Sequence, residues 1–594
     1  MANLVSPGYN RSTLMSQVLA PAEERIIEFK GLNKRTVVDE GEMSDMWNLT
    51  ADKYPVLSPR KPRGSMPVPE SAMRPLQILR RFDKIGFIAI DEPDPEEDDP
   101  SVTVSFYYDG TRIDEVTGLS TETHAVAINN KMCFFPEKTC IDITLEGVQE
   151  GTYRSLEASV ELDESVSVVI SSDGTRITLP EGHGFKYDDA INISGTLSYT
   201  PYGGEATSMP ASVSCIIESV EDENTIILPR ETFIEMTGEG AENIELTAGT
   251  SFERTMPDLD FVVEWNNRLW GCSNRDNTIY ACKLGDPTNW QYYQGTSLDS
   301  YYAEQGTDER FSGIAEYSGH IMFFKPNSIT RVYGTSPASF QITNTKAYGI
   351  EYGSSASVLT INDTVYYKSA IGIMAYRGGT PFCISEKLGM EFKNVVAGTE
   401  GTKYFASCIV IEDGRYMGRI IVYDIEKGLW HMEDDKRFTS TCKIGNKIYY
   451  TSASADILTC DTDIFCNPEL MCTTDFVAGE VGIFNPDVPT ESYEDIEWKA
   501  VFGPFDEYIE EHKIYSKLAM RLKANGEAST KVYISINEGP WELVENYEHV
   551  STKGDFIPII PRRCDRYSVK VEGKGNCEVK SLTRRVRQGS FGRL

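Results

Sequence analysis

The sequence has few of the residues on which enzyme chemistry most often depends. Only six of the 594 residues are histidines, and they lie far apart, at His124, His183, His320, His431, His512 and His549. No Gly-Xaa-Ser-Xaa-Gly elbow, phosphate-binding loop or His-Glu-Xaa-Xaa-His pattern occurs. His320 occupies a turn position, which favours a surface role over catalysis. The sequence therefore predicts a protein that is not an enzyme, with no catalytic residue, no metal site and no cofactor.

Long apolar runs are also missing. No run reaches the roughly 18 residues that a membrane-spanning helix needs. Residues 1–7 contain neither the charged segment nor the apolar segment of a secretory signal. We therefore expect a soluble protein that is made in a cytoplasm and does not insert into membranes.

Positive charge is scarce. The chain has 57 Lys and Arg against 90 Asp and Glu, a net charge of −33. This balance opposes general nucleic-acid binding through the outer surface, because phosphate contacts need basic side chains. An acidic pore would, however, let DNA slide through without adhering. The C-terminal arginines are the exception and could contact DNA phosphates or an acidic partner, or belong to a solvated tail: Arg584, Arg585, Arg587 and Arg593.

The thirteen cysteines follow no disulfide spacing. Four of them occupy strand positions, where reduced, buried thiols are predicted: Cys272, Cys282, Cys408 and Cys442. Cys460, Cys466 and Cys472 are evenly spaced, but no histidine lies near them and the spacing fits no zinc knuckle, so a metal site is not predicted there.

Other candidate sites are weak. Acidic pairs in loops, at 96–99 and 434–435, could serve glycoside hydrolysis, but with ninety acids in the chain a solvated surface is favoured. The segment 182–189 could be a calcium loop, yet it lacks the alternation of an EF-hand. Aromatic strand residues could stack on sugars, although alternate members must point into a core: Trp270, Phe323, Phe324, Tyr366, Tyr367, Tyr449 and Tyr450.

What the sequence does have is a recurring hairpin. An apolar strand enters a tight polar turn, and an aromatic-rich strand leaves it; copies lie at 125–135, 260–270, 313–324, 357–367, 407–414 and 441–450. Most turn residues, such as Asn266-Asn267 and Asn362-Asp363, tolerate the positive φ of a two-residue hairpin turn. Weaker second hairpins give about four strands per unit, the pattern of propeller blades. A generic antiparallel meander is the alternative.

The prediction is an all-β protein: a β-propeller with an inserted small β-barrel domain and a C-terminal β-sandwich-like domain. Its parts are an N-terminal arm (1–36, with some helical character in 12–28), first propeller blades (37–150), an inserted β domain (151–257), the remaining blades (258–460), and a linker with a C-terminal β domain and basic tail (461–594). The insertion is predicted because its Gly- and Asp-rich turns carry no copy of the hairpin theme.

Four groups of residues, in order along the chain, resemble the β-propeller tail nozzle or hub proteins of tailed bacteriophages, also called packaged-DNA stabilisation or tail tubular proteins. They are Asp45–Thr50 with Tyr54–Arg60; Glu264–Gly271 continuing to Leu284–Trp290; Ile321–Lys325 with Ser328–Gly334; and Arg563–Tyr567 with Gly573–Gly575. Together they span much of the chain. Residues 1–36 and the acidic loop 91–100 match nothing in that family.

The resemblance implies a virion structural protein in the tail, made in the host bacterial cytoplasm. Such subunits form a ring, typically sixfold, that continues the DNA channel and helps retain and release the genome. The implied partners are the same chain in a ring, head–tail adaptor proteins, tail fibre or needle proteins, and the packaged DNA. The resemblance carries over no catalytic residue. Two alternatives remain: a distal tail or baseplate component of a long-tailed phage, and a glycan-binding propeller that recognises the host.

Overall fold

The computed structural model describes residues 22–69, 71–91, 103–412, 414–434, 437–452, 480–506, 513–548, 554–557 and 559–588. The regular secondary structure of these residues is almost entirely β-strand, with one α-helix, Glu231–Thr237, and four 3-10 turns at Pro337–Ser339, Ser355–Ser357, Glu386–Leu388 and Tyr493–Asp495. The all-β fold class is therefore confirmed. No helix in the described part is long and apolar enough to cross a membrane.

Eight antiparallel four-stranded sheets occur in the described residues; one belongs to the inserted domain, and we number the other seven as blades 1 to 7. Blades 1 to 3 contain Ala72–Arg81, Lys84–Asp91, Val104–Tyr108 and Thr111–Arg112; His124–Ile128, Lys131–Phe135, Thr139–Asp142 and Arg154–Ser155; and Phe261–Trp265, Arg268–Ser273, Thr278–Ala281 and Tyr301–Glu304. Blades 4 to 6 contain Gly313–Tyr317, His320–Lys325, Ser328–Tyr333 and Gln341–Lys346; Leu359–Ile361, Thr364–Ser369, Gly372–Tyr376 and Phe382–Cys383; and Phe392–Thr399, Lys403–Glu412, Arg415–Asp424 and Leu429–Met432.

Blade 7 combines strands from distant parts of the chain. Phe438–Ile444, Lys447–Ser452 and Glu480–Phe484 are joined by Gly64–Pro67, which pairs antiparallel with Glu480–Phe484. The first strand of each blade contacts the first strand of the next, and that of blade 7 contacts that of blade 1. The sheets therefore form a closed seven-bladed propeller, and backbone hydrogen bonds from the N-terminal segment complete its last blade.

The hairpins form because their turn residues accept the required backbone. Asn266 and Asn267 have φ of 51° and 59°, and Asn362 and Asp363 have φ of 46° and 56°. Positive φ at both central residues is the geometry whose twist matches that of the flanking strands. The aromatic residues of the theme pack between blades, as in the contact of Phe324 with Tyr367, whose ring centroids are 4.9 Å apart.

The inserted β domain lies between blades 2 and 3. It contains a six-stranded sheet of Ala158–Glu161, Val166–Ser167, Ala190–Thr200, Thr207–Ile216, Glu242–Leu246 and Ser251–Arg254, and a four-stranded sheet of Val169–Ser171, Gly174–Thr178, Ser219–Val220 and Thr225–Leu228. Buried residues of both sheets, with Phe233 of the helix, form one core. We call residues 158–254 the insert.

The C-terminal β domain is a single eight-stranded sheet, which we call the C-terminal sheet. Its strands are Ala22–Ile26, Met43–Trp47, Glu497–Phe505, Lys513–Ile536, Glu542–Tyr547, Gly554–Ile557, Arg562–Cys564 and Tyr567–Gln588. Register shifts interrupt the pairing of its two longest strands, at points such as Ala524/Ala528, and such irregularities bend strands. Its core continues into blades 5 and 6, through residues such as Tyr366, Tyr404 and Trp430.

The N-terminal part differs from the predicted boundaries. Ala22–Ile26, expected to have helical character within an arm, is a strand that pairs with the last strand of the C-terminal sheet. Met43–Trp47 and Gly64–Pro67, assigned to the first blades, lie in the C-terminal sheet and in blade 7. Glu480–Phe484, assigned to a linker, is the third strand of blade 7. Two short strands, Leu49–Thr50 and Ser58–Pro59, pair with each other between these elements.

Candidate functional site: the junctions of the propeller

The predicted arginine site is not a free tail. Arg584 and Arg585 lie in the strand Tyr567–Gln588 of the C-terminal sheet. Arg584 is buried, lies 3.0 Å from Glu40 and places its guanidinium 4.0 Å from the ring centroid of Phe505. Arg585 contacts Glu23 at 3.2 Å, across the pairing with the N-terminal strand. These two arginines therefore hold the N-terminal segment, and a contact of either one with DNA or a partner remains a prediction.

For the other two arginines of the predicted site, Arg587 and Arg593, the structure shows little. The backbone of Arg587 pairs with Ile514 within the same sheet, which excludes a free tail at this position. Arg593 lies outside the described residues, as do Cys460, Cys466 and Cys472. A contact of Arg587 or Arg593 with DNA or a partner remains a prediction.

The structure also shows where His320 and the four cysteines singled out from the sequence lie. His320 is buried, not exposed, and its Nε2 lies 3.1 Å from the hydroxyl of Tyr376. Burial lowers the pKa of His320 to about 4. Cys272, Cys282 and Cys408 are buried free thiols, as predicted, and Cys442 is a partly buried free thiol. Among the described residues, no group of three or more His, Cys, Asp or Glu could hold a metal ion.

A buried ionic cluster fastens the point where the propeller closes, and we call it the closing junction. It joins Arg60 and Arg63, just before the closing strand, to Glu433 and Asp434 after blade 6, and to Glu491 after blade 7. Arg63 places Nη1 2.9 Å from Asp434 Oδ1 and Nη2 2.5 Å from Glu433 Oε2. Arg60 donates two hydrogen bonds to Glu491, of 2.7 and 2.8 Å, and one of 3.0 Å to Asp434.

Asn48 extends the closing junction to the C-terminal sheet. Its Oδ1 accepts a 3.0 Å hydrogen bond from Arg60 Nε, and its Nδ2 donates to the carbonyl of Glu497 at 2.9 Å. Its backbone N–H donates to the carbonyl of Met432 at the end of blade 6. The φ of 53° at Asn48 is one that asparagine tolerates better than most residues. One side chain and its backbone thus connect three separate parts of the molecule.

The electrostatics of the closing junction are those of matched buried charges. Burial alone would raise the pKa of the Glu491 carboxyl, but hydrogen bonds and charge from Arg60 outweigh burial, so this pKa lies below its ordinary value. Burial opposes the charge of Arg63, yet Asp434 and Glu433 raise its pKa further above the ordinary value. Asp434, expected on a solvated surface, is in fact buried. Its partners lie about 370 residues away in sequence, so no local pattern could have revealed the pairing.

A second ionic cluster, the insert junction, holds the insert against blade 3. Asp189 pairs with Arg254 within the insert, and both side chains are buried. Asn289 donates from Nδ2 to Asp189 at 3.3 Å and to Asp286 at 2.5 Å, and its Oδ1 accepts from the N–H of Ala190 at 2.9 Å. Burial raises the pKa of Asp189 more than Arg254 lowers it. Asn289 therefore forms hydrogen bonds with one side chain and with the backbone of the insert.

A lysine and a tyrosine add to the insert junction. Lys283 pairs with Asp188, and the Tyr292 hydroxyl donates to the same carboxylate at 2.9 Å. The Lys283 ammonium also lies 3.8 Å from the ring centroid of Tyr292. Asp188 and Asp189, considered as calcium ligands from sequence, are thus engaged by basic side chains.

The two junctions account for two of the stretches that carry the family resemblance. Arg60 ends the segment Tyr54–Arg60, and Asn289 lies within Leu284–Trp290. In the second segment, Asp286 accepts hydrogen bonds from the backbone and side chain of Thr288, and the Trp290 indole N–H donates to the Pro287 carbonyl. These internal bonds shape a loop that presents Asn289 to the insert.

Comparisons with known proteins add little to this geometry. No protein-family model matches the chain, and no curated protein matches it. Among solved structures, an exo-β-1,3-galactanase from Phanerochaete chrysosporium is 10% identical, with 54% of this chain and 94% of that chain covered at a TM-score of 0.22. Hsv2p from Kluyveromyces lactis is 8% identical, with 60% and 96% covered and a TM-score of 0.23. Apo AztD from Citrobacter koseri is 10% identical, with 66% and 96% covered and a TM-score of 0.27. At these values the likenesses carry no argument about what this chain binds or does.

Proposed function

We propose that this chain is a structural subunit of a phage tail, a nozzle or hub protein that assembles into a ring around the DNA channel. The observation that carries the proposal is the pair of buried ionic junctions. They fasten the insert and the N- and C-terminal segments to one closed propeller, and some of their residues, such as Asn48, Arg60 and Asn289, lie in stretches that resemble that family. A subunit that withstands the pressure of packaged DNA needs its parts fixed to one another.

Buried charge pairs suit this role for a physical reason. Replacing a buried ion pair with apolar residues is often neutral for stability, but breaking one by removing a single partner is strongly destabilising. Networks of this kind therefore specify one arrangement of connected parts. In the closing junction, Arg60 and Arg63 share Asp434, so a displacement of either arginine disturbs both contacts.

The overall charge fits a channel for DNA. The net charge of −33 is that of a protein which repels phosphate rather than binding it. Both C-terminal arginines whose side chains are described are engaged in ion pairs with Glu23 and Glu40. Weak adhesion of the channel wall would favour rapid passage of the genome during release.

The proposed ring is sixfold, and repeated heterologous contacts would close it. Its partners would be a head–tail adaptor on one side and a fibre or needle protein on the other, and its location the virion tail. In this role the protein has no catalytic activity of its own. A distal tail component of a long-tailed phage would share the fold but would occupy another position in the particle.

Electron microscopy of the purified full-length chain tests the proposal. Rings with a central channel, and added density at tail ends after mixing with a lysate of the encoding virus, are expected. The matched control is the same lysate cleared of particles by centrifugation, which should leave the rings unattached. A protein that stays monomeric alone and in the lysate, and is absent from purified particles, would rule the proposal out.

A further inference from the structure

A concave surface beside the insert junction has a different chemistry from either junction. It is a cleft of about 660 Å³ between blade 2, blade 3 and the end of the insert, and we call it the tyrosine cleft. The lining residues used below are Lys138, Asp258, Arg275, Gln291, Tyr293 and Tyr302. An adjoining hollow of about 360 Å³ shares three of them, Lys138, Asp258 and Arg275. Small-molecule sites generally occupy about 300–1,000 Å³.

Two exposed tyrosines form one wall of the cleft. Tyr302 lies in the outermost strand of blade 3 and is 55% exposed, and Tyr293 is 48% exposed. Their ring centroids are 6.0 Å apart and their planes meet at 68°. An edge-to-face contact covers a face of only one ring, so aromatic surface remains open to a ligand.

The charged groups of the cleft are already matched to one another. Asp258 lies 2.7 Å from Lys138 Nζ and 2.8 Å from Arg275 Nη1, and Lys138 also contacts Glu157 at 3.1 Å. Asp276 accepts a 2.5 Å hydrogen bond from the Tyr280 hydroxyl. The carboxylates of Glu157, Asp258 and Asp276 outnumber the cations of the lining, so an anionic ligand would be repelled.

The polar atoms that remain suit hydroxyl groups. Each carboxylate oxygen can accept a second hydrogen bond beyond those made within the cleft. The exposed amide of Gln291 already donates to Thr255 at 3.2 Å and accepts from Asn192, which fixes its orientation at the cleft edge. A ligand with many hydroxyls and an apolar ring face matches this combination of oriented polar groups and open aromatic surface.

We propose that the tyrosine cleft binds a neutral oligosaccharide, with a sugar ring packed on Tyr293 and Tyr302 and its hydroxyls bonded to Asp258 and Gln291. This inference goes beyond the structural role proposed above and does not depend on it. A tail subunit with such a site would add a contact to a cell-surface glycan.

The test is binding of the purified full-length chain to a printed array of neutral and uronic-acid oligosaccharides, followed by calorimetric titration of the neutral trisaccharides that score. We expect binding to neutral members and none to their uronic counterparts. Tyr302→Ala should weaken affinity about tenfold, equivalent to about 1.4 kcal/mol, and Tyr302→Phe should retain it because the ring remains. Tyr416→Ala is the matched control, since Tyr416 is 59% exposed on a strand of blade 6.

Three results would overturn the proposal. They are no binding to any neutral sugar, a preference for uronic acids, and binding that Tyr302→Ala leaves unchanged. Light scattering of the same variants distinguishes a contact between subunits from a sugar site. If Tyr302→Ala abolishes self-association while the wild type binds no sugar, the cleft is a contact between copies of the chain. The ring assay proposed above is separate, so failure of either idea leaves the other intact.

Discussion

Removing the arginine at the centre of the closing junction should open the propeller at blade 7. The side chain of Arg63 is 6% exposed, and those of its partners Glu433 and Asp434 are 5% and 10% exposed. In Arg63→Met the apolar stem is retained, but Glu433 and Asp434 both lose their ion pair with Arg63, while Asp434 retains its pair with Arg60. Breaking a buried pair from one side costs about 3–5 kcal/mol. This loss of stability should promote local opening of blade 7 because Arg63 directly precedes the closing strand Gly64–Pro67.

Hydrogen exchange followed by mass spectrometry measures this opening directly. Peptides that contain 64–67 and 480–484 should exchange faster by the factor that corresponds to about 3–5 kcal/mol, while peptides from blade 4 should be unchanged. Arg562→Met is the matched control, since Arg562 pairs with Glu542 on the surface, with side chains 45% and 52% exposed, and exposed pairs contribute little. The double variant Arg63→Met/Glu433→Gln should recover part of the loss, because it removes one of the uncompensated charges.

Exchange in blade 7 that changes no more in Arg63→Met than in Arg562→Met would refute this role of Arg63. An effect spread evenly over all seven blades would refute it equally. Either result would mean that the closing strand is held by its backbone pairing and apolar contacts alone.

Three further predictions concern Asn289, His431 and Glu491. Asn289→Ala should destabilise the insert junction by about 1–3 kcal/mol because the buried N–H of Ala190 loses its acceptor. Hydrogen exchange in Ala190–Thr200 checks this, with Asn344→Ala at an exposed position as the control. An unchanged exchange rate in Asn289→Ala would contradict the prediction. Burial lowers the pKa of His431 to about 4 from an ordinary 6.5. Unfolding therefore takes up a proton between these pH values, and the stability of the fold falls as pH drops through that window. In His431→Phe the urea-unfolding midpoint should depend less on pH in this window, and an unaltered pH dependence would refute the role of His431. The pKa of Glu491 is lowered, so the stability that its ionised carboxylate contributes is present above about pH 4.5 and is lost as pH falls below that value. Glu491→Gln should reduce the difference in unfolding midpoint between pH 5 and pH 3. An identical difference in the variant and the wild type would count against the ion pair.

The propeller could be predicted because its signal is local. Each hairpin carries its own turn residues, such as Asn266-Asn267, and its own alternation of apolar and polar positions, so the repeat is visible along the chain. The insert was recognisable for the opposite reason, since its strands lack that theme. Both features depend on residues a few positions apart.

What could not be predicted depends on residues that are distant in sequence. The pairing of Gly64–Pro67 with Glu480–Phe484, and of Ala22–Ile26 with the last strand of the C-terminal sheet, has no local mark in either partner. The ion pairs of Arg63 and Arg584 could not be predicted for the same reason, because their partners are distant in sequence. The basic C-terminal segment resembled a tail because its partners, Glu23 and Glu40, come from the other end of the chain.

The site was predictable only in part. The stretches around Arg60 and Asn289 could be identified through their resemblance to a family, but the sequence did not indicate that they serve as connections between parts of the molecule. The exposed Tyr293 and Tyr302 could not be distinguished from the many buried tyrosines, because exposure depends on the outer strand of blade 3 and on the neighbouring insert. A single sequence specifies such surfaces only through the folded arrangement.

The most direct test of the tail-ring account is a cryo-electron microscopy reconstruction of the tail of the virus that encodes this chain. The account predicts copies of the seven-bladed propeller, with insert and C-terminal sheet in the orientation described here, arranged as a ring around the DNA channel. A tail in which no density fits the propeller, or in which it occurs only on peripheral fibres away from the channel, would contradict the account.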